Sequence, residues 1–405
     1  MTLRSDAAAL LDELVALRRD LHRIPEIGLH LPRTQERVLG ALDGLPLELT
    51  LGKNLSSITA VLRGGKPGGE PGGKPGGTVL LRGDMDALPV TEASGEEFTS
   101  TLDGAMHACG HDLHTAGLVG AARLLAARKE DLPGDVVFMF QPGEEGWDGA
   151  GRMIDEGVLT ASGRPVDAAY GLHVSAASYA KGHFVARPGT LMAASGALEV
   201  RVKGDGGHGS SPHDARDPIP AACEMVTALQ TMVTRTFDVF DPVVVTVGSF
   251  HAGTRRNIIP DDAVFEATLR SFSPEVAARV GERAVRVCRG IAQAHGLDID
   301  VTYEPEYPAT VNDAEAYGFV ADTIRDVFGE ERFTEMADPI TGSEDFSRVL
   351  ERVPGAYLFL GACPTDPATA PDNHSPRARF DDSVLGDGAA LLAELAVRRL
   401  GLLAG

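Results

Sequence analysis

The run Val136-Val137-Phe138-Met139-Phe140, followed by Gln141-Pro142-Gly143-Glu144-Glu145 (136–145), sets the reading of the fold. Five consecutive apolar residues ended by a Pro-Gly turn are too short for an ordinary helix. They read as a strand buried on both faces. Two carboxylates follow at its carboxyl end. The same form occurs twice more: Val79-Leu80-Leu81 runs into Arg82-Gly83-Asp84-Met85-Asp86, and Ala168 to Leu172 runs into His173. Between these runs, residues 112 to about 129 read as a helix with Asp112 as its cap. Strands alternating with helices predict an α/β fold, with a mostly parallel sheet flanked by helices on both faces. In such sheets ligands bind outside the carboxyl ends of the strands. Three separate segments therefore deliver acids and a histidine to one edge.

Upstream, Leu10, Leu11, Leu14, Leu17 and Leu21 repeat at helical spacing, and Pro25 closes that helix. Residues 57–63 alternate like a strand. Residues 64–77 hold PGG three times and read as a solvated loop joining two neighbouring strands. Downstream the texture changes. Residues 197–203, 243–250 and 263–272 alternate as half-buried strands, separated by helices near 220–233 and 274–294. That is the pattern of a small α+β domain with one sheet face exposed. The tail returns to a helix (313–328), a buried strand (356–361) and a final helix (385–400). The expected organisation is a catalytic metal-binding domain, 1–187 and 304–405, interrupted by a smaller inserted lid or dimerisation domain, 188–303.

Composition narrows the partners. The chain has 405 residues, enough for two or three domains, and is 43% hydrophobic and 23% charged, near the globular average. With 58 acidic and 37 basic residues its formal charge is −21, which disfavours nucleic acid. No apolar stretch approaches the ~20 residues needed to cross a bilayer, and the first residues lack the form of a signal peptide. Four dispersed cysteines make no disulfide framework. The expected setting is the cytoplasm, with neither nucleic acid nor membrane as a partner.

The densest chemistry lies in Met106-His107-Ala108-Cys109-Gly110-His111-Asp112-Leu113-His114. Cys109 and His111 stand two apart with a glycine between them. A thiolate and an imidazole so placed can share one borderline-soft metal or serve as a pair. His107 and His114 are weaker candidates, because His114 falls inside the helix. Adjacent Glu144 and Glu145 point different ways. One carboxylate of such a pair can bind a metal while the other takes a proton from a water that the metal has acidified. In the tail, Asp372-Asn373-His374-Ser375 offers His374 as a further ligand.

These stretches resemble the aminoacylase/carboxypeptidase-type dinuclear metal amidohydrolases. The closest branch holds N-acyl-amino-acid amidohydrolases, hippurate hydrolases and auxin-conjugate hydrolases. The resemblance rests on LHRIPEIGLH (21–30), RGDMDALPV (82–90), MHACGHDLHTA (106–116), FQPGEEGWDGA (140–150) and GLHV (171–174). It continues through GGHGSSPH (206–213), DPI (217–219), HAGTRRNIIPDDAVFEATLRSF (251–272), GSEDF (342–346) and NHSP (373–376), in the family's order. It implies two divalent metal ions per subunit, held by Cys109, His111, Glu145, His173 and His374. It further implies Glu144 as general acid/base and Asp86 as the acid that orients a ligand. His208 would polarise the scissile carbonyl, often reaching a neighbouring subunit's site. Asn257 and Arg270 would hold the substrate's carboxylate. Arg255-Arg256, where many relatives carry small or neutral residues, and the long PGG loop depart from the pattern.

The implied activity is cleavage of the amide bond of a small N-acyl amino acid to a carboxylic acid and an amino acid. A dipeptidase or carboxypeptidase of the same fold is the alternative. Zinc suits a thiolate and three imidazoles, though manganese, cobalt and nickel also occupy mixed N/O/S sites. An edge strand of the inserted domain offers a route to a homodimer. No GxSxG elbow or P-loop is present, so a serine hydrolase or phosphoryl transfer lacks support. Cys109 suits a metal shared with His111 better than a nucleophile's role. Arg82-Gly83-Asp84, at the end of a buried strand, is no adhesion motif.

Overall fold

A computed structural model describes residues 2–66 and 76–405. The chain divides into two compact units. One comprises Met1–Leu191, Val311–Asp338 and Arg348–Gly405; the other comprises Met192–Thr310 and Pro339–Ser347. The core of the PGG stretch, 67–75, lies outside the described residues.

The first unit is built on an eight-stranded sheet. Its order is Leu47–Leu51, Ile58–Leu62, Asp135–Gln141, Thr78–Asp84, Ala168–Ser175, Gly355–Gly361, Phe184–Ala186, Phe333–Glu335. The four middle strands, from Asp135–Gln141 to Gly355–Gly361, are mutually parallel. Ile58–Leu62 pairs antiparallel with Asp135–Gln141, and Leu47–Leu51 antiparallel with Ile58–Leu62. The strands on either side of the PGG stretch are therefore not neighbours, contrary to the sequence expectation. Asp135–Gln141 lies between them, which is what a crossover through helix His111–Ala126 produces.

The middle strands are apolar without a break because both of their faces are covered. Thr78–Asp84, Ala168–Ser175 and Gly355–Gly361 are buried at every position. Alternate residues, among them Val79, Leu81, Val136, Phe138, Leu172 and Leu358, share one core with helices Leu3–His22, His111–Ala126 and Leu385–Ala404. Those three helices meet at Gly120. A Cβ there would lie 2.8 Å from both Ala389 Cβ and Leu14 Cδ1.

The second unit is a four-stranded antiparallel sheet, ordered Val243–Ala252, Asp262–Ser271, Ala194–Lys203, Asp298–Pro305. One face packs on helices Pro218–Thr236 and Pro274–Ala294. Leu198, Val200, Phe265 and Leu269 meet Met225, Leu229, Val280 and Cys288 there. The other face carries residues such as Glu199, Arg201, Glu266 and Thr268, which explains the period-two alternation. Both helices begin where the sequence provides an acceptor followed by proline. Asp217 accepts from Ile219 N–H at 3.0 Å ahead of Pro218, and Ser273 Oγ from Val276 N–H at 3.3 Å ahead of Pro274. No helix among the described residues is long and apolar enough to cross a membrane.

The packing at Gly120 is directly testable. Gly120→Val gains helix propensity but forces methyl groups into a contact that Ala389, with its short side chain, cannot vacate. We expect the thermal midpoint to fall, corresponding to about 1–3 kcal/mol of overpacking. An unchanged midpoint would mean that the three helices separate at no cost.

Candidate active site

The carboxyl ends of the middle strands lie along one edge, and the sequence-predicted groups of the first unit collect there. The turn that delivers two of them depends on Gly110. Its φ is +81°, and a Cβ would sit 2.4 Å from Val174 Cγ2. Only glycine meets both conditions. Helix His111–Ala126 starts directly after this turn, with Gly110 as its N-cap and no side-chain capping bond. Asp112 is therefore not the cap, as the sequence suggested. It lies in the first turn and faces the first helix, where His22 Nδ1 approaches its Oδ2 to 2.7 Å.

Backbone carbonyls fix two of the histidines. His173 Nδ1 donates to the Val174 carbonyl at 2.8 Å, which turns its Nε2 toward Cys109 Sγ, 3.4 Å away. His111 Nδ1 donates to the Asp86 carbonyl at 2.9 Å. Its Nε2 is buried and has no hydrogen-bond partner. The Asp86 carboxylate accepts the backbone N–H groups of Glu144 and Glu145, each at 3.0 Å. One side chain thus holds the backbone of both acids and stands beside the His111 ring. His374, at φ +68°, donates its backbone N–H to the Ala108 carbonyl at 2.9 Å. Its Nε2 lies 3.2 Å from Cys109 Sγ and 3.2 Å from Glu145 Oε1.

The donor atoms fall into overlapping triads. Those of Cys109, His111 and His173 lie within 4.8 Å of one another, as do those of Cys109, Glu145 and His374, and those of His111, Glu144 and Glu145. Cys109, His111 and Glu145 each belong to two of these triads and together join all three. A cluster of sulfur, imidazole nitrogen and carboxylate oxygen suits a divalent transition metal. The orphaned His111 Nε2 and the carbonyl-anchored Nδ1 atoms suit it too, because a ligating histidine donates its other N–H to a fixed acceptor.

Electrostatics follow from this crowding. Burial and the neighbouring His114 hold His173 well below its ordinary pKa. Burial opposes the charge on His111, but Asp84 and Asp86 overcome it and hold the imidazole well above its usual value. The Cys109 sulfur and the Glu145 carboxylate push His374 up to about 10. Burial works against the Glu145 carboxylate, yet His374 and His111 keep it below the usual range.

Several participants were not foreseen as such. Arg82 and Asp84 are fully buried and ion-paired, Nη1 to Oδ2 at 2.6 Å, so Arg82-Gly83-Asp84 presents nothing to a partner. His114, one helical turn after His111, is buried. Its Nδ1 donates to Asp84 Oδ1 at 2.6 Å, while its Nε2 accepts the Val174 N–H at 2.8 Å. Both of its nitrogens are engaged, which removes it from the ligand candidates. Asn373 donates through Nδ2 to the Cys109 carbonyl at 3.3 Å and the Val174 carbonyl at 3.1 Å. The signals available were the i, i+3 spacing of His114 from His111 and the adjacency of Asn373 to His374.

Three predicted site residues belong to the second unit. Gly207–His208 pairs with Ile258–Ile259, and Gly209 N–H donates to the Asn257 carbonyl at 3.0 Å, so His208 and Asn257 are neighbours. His208 is exposed. Its Nδ1 accepts the Ser210 N–H at 3.2 Å, which leaves the proton of the neutral ring on Nε2. Arg270 lies on strand Asp262–Ser271 with Glu306 Oε2 3.9 Å from its Nη1, a loose pair. Burial lowers its pKa, partly offset by Glu306.

Comparison with known proteins agrees with this architecture. The signature of Peptidase family M20/M25/M40 matches residues 80–398. Thermostable carboxypeptidase 2 of Saccharolobus solfataricus is 38% identical over 400 residues, covering 98% of each chain. An IAA-amino acid hydrolase of Arabidopsis thaliana is 35% identical over 393 residues, 96% of this chain and 85% of that one. The crystal structure of the Bacillus subtilis YXEP protein, described as a dinuclear metal binding peptidase from the M20 family, superimposes with a TM-score of 0.81. It is 31% identical and covers 97% of this chain and 99% of that one. The chain belongs to Peptidase family M20/M25/M40 and is an amide-bond hydrolase of that family.

Proposed function

We propose that the enzyme cleaves N-acyl amino acids, such as hippurate-like, N-acetyl or related conjugates, to a carboxylic acid and an amino acid. Two divalent ions would be held by Cys109, His111, Glu145, His173 and His374. Such ions supply Lewis acidity at the scissile carbonyl and make water acidic at neutral pH. The observation that carries the reading is Glu144 itself. The residue is 7% exposed, its carboxylate lies among the donor atoms of His111 and Glu145, and its backbone is fixed by Asp86. There it can take the proton of an attacking water and return it to the amine nitrogen as the C–N bond breaks. His208 would offer its Nε2–H to the developing oxyanion, and Asn257 and Arg270 would hold the substrate's free carboxylate.

The segment expected at 188–303 is proposed as a lid and dimerisation domain. Strand Val243–Ala252 is an edge of its sheet, with Val244 and Phe250 each 38% exposed, which supports pairing with a second copy. The similarity to a carboxypeptidase keeps a peptidase on this fold as the second reading. Turnover of benzoyl-, acetyl- and indole-acetyl-amino acids, measured beside free dipeptides with metal content determined, decides between them. Faster cleavage of dipeptides than of every acyl conjugate would overturn the first reading. In the same assays Glu144→Gln should cost ~10²–10⁴-fold in kcat with metal retained. A loss below about tenfold would make Glu144 a bystander.

Metal uptake should release protons. His374 is pushed up to about 10 by Cys109 and Glu145, so it is protonated at pH 7 in the metal-free protein, and Asp84 and Asp86 shift His111 in the same direction against its burial. A ligating imidazole must be neutral, so binding displaces such a proton. Affinity should rise with pH across the neutral range, by up to about tenfold per unit for each proton released. Calorimetry in buffers of different ionisation enthalpy counts the protons. A heat independent of buffer would remove His374 from the ligands.

The Arg270 role is separable from a purely structural one. Blocking the substrate carboxylate as an amide should cost about 1.5–3 kcal/mol in kcat/KM. Arg270→Ala should hurt the free acid far more than the amide, and the two losses should not add, because both delete one contact. Additive losses would show that Arg270 merely pairs with Glu306.

A further inference from the structure

The segment LHRIPEIGLH (21–30) supplies no group to the site described above, yet it touches both loops that do. Its first tie is a buried ion cluster. The Asp112 carboxylate is completely inaccessible, and its Oδ2 lies 2.7 Å from His22 Nδ1 and 2.8 Å from Arg18 Nε. Each of these partners is anchored again on its far side. His22 Nε2 meets Glu92 Oε1 at 3.2 Å, and Arg18 Nη1 meets Asp382 Oδ1 at 3.1 Å. The Arg18 guanidinium also lies over the Phe98 ring, 4.7 Å from its centre. The second tie reaches the other loop. Ala87, next to Asp86, donates its N–H to the Glu26 carbonyl at 2.8 Å. Leu29 Cδ2 packs 2.6 Å from where a Cβ of Gly143 would stand, just before Glu144.

The first tie matters because of what the helix lacks. Helix His111–Ala126 begins on a left-handed glycine with no side-chain cap, so its first turn is held by other elements: His111 by the Asp86 carbonyl, His114 by Asp84 and Val174, and Asp112 by the first helix. That turn carries His111, and Cys109 stands just ahead of it. Asp112 is the residue of that turn whose side chain is gripped by a different helix. Arg18 alone could neutralise Asp112. A second donor aimed at the same oxygen, itself held by Glu92, is what fixes where that oxygen sits. We infer that His22 is a positioning residue for the metal loop: through Asp112 it sets the place of the turn that presents Cys109 and His111. The inference rests on the metal-site reading proposed above.

Two conservative variants separate positioning from simple support. An asparagine amide lies close to where Nδ1 of a histidine would be, and a glutamine amide close to Nε2. His22→Asn therefore keeps a donor toward Asp112 and gives up Glu92, whereas His22→Gln does the reverse. The probe is cobalt(II) added to the metal-free full-length protein. It is read by the thiolate-to-cobalt charge-transfer absorption and by competition for Kd, with thermal midpoints measured alongside. His22→Gln should weaken cobalt binding by about 10–100-fold and alter the charge-transfer band, while His22→Asn stays within about threefold of the native protein. Leu229→Ala, in the core of the second unit, should lower its own midpoint and leave Kd and the band unchanged. Equal losses in the two His22 variants, or no loss in either, would overturn the inference. So would a Kd that merely tracks the midpoint in all three variants. If His22→Gln does not fold, Asp112→Asn, which keeps the shape but removes the charge that His22 meets, is read in its place, and a native Kd and band there overturn the inference. A native protein with no charge-transfer band would defeat the metal-site reading and the inference with it. A native band with indistinguishable His22 variants would defeat the inference alone.

Discussion

Asp84 ends the central strand as a carboxylate with no access to water, and the geometry of the site edge depends on how that charge is satisfied. Burial pushes its pKa up, and Arg82, His111 and His114 overcome that and hold it well below the usual range. An uncompensated charge at this depth would cost several kcal/mol, so its partners are not optional. Arg82 pairs with it at 2.6 Å and also donates to Gln141 Oε1 at 2.9 Å and Tyr357 Oη at 3.1 Å. One guanidinium thereby ties Thr78–Asp84 to the strands on which Gln141 and Tyr357 lie. Thr115 Oγ1 donates to the Asp84 carbonyl at 2.7 Å, which brings in helix His111–Ala126.

The same carboxylate settles a tautomer. His114 must give its Nδ1 proton to Asp84, so its Nε2 is left to accept, and it accepts the Val174 N–H. Val174 in turn offers its carbonyl to His173 Nδ1, which directs the other nitrogen of His173 at Cys109. A run of single hydrogen bonds leads from a strand-end charge to the orientation of a candidate ligand. Each of these bonds sets the donor and acceptor roles of the next, so buried groups in the run depend on one another for their pairing.

How much of this could be read from the chain alone divides along physical lines. The strands Asp135–Gln141, Thr78–Asp84 and Ala168–Ser175 were legible because continuous apolar runs leave few choices. So was the edge on which acids and histidines collect, because the carboxyl ends of parallel strands share a side. Leu47–Leu51 and Asp298–Pro305 were not read. Edge strands are half exposed, and their alternation is diluted by residues such as Glu48 and Asp300. The cap of the third long helix was misassigned to Asp112, because a local rule could not see Arg18 and His22 arriving from some 90 residues earlier. The PGG stretch does not join neighbouring strands, because order within a sheet is a property of crossovers and not of the loop. Cys109, His111, Glu144 and Glu145 stood out by residue type and spacing. Asp86's grip on two backbone N–H groups did not, since a carboxylate accepting amides leaves no mark on the sequence beyond itself.

The charges at the edge make a last point about design. Asp84 is answered by Arg82, His114 and His111, and Asp86 by two backbone amides beside the His111 ring. Cys109, Glu144 and Glu145 remain, clustered with His111 and His374. Cys109 and Glu145 hold His374 toward its protonated state, and Asp84 and Asp86 do the same for His111. The protonated rings then occupy electrostatically the role that divalent ions take in the proposed function. His374 Nε2 lies 3.2 Å from both the sulfur and Glu145 Oε1, within pairing distance of each, which is why both raise its pKa. The backbone that carries these groups is constrained by the left-handed Gly110, by the amides that Asp86 accepts, and by the grip of the first helix on Asp112.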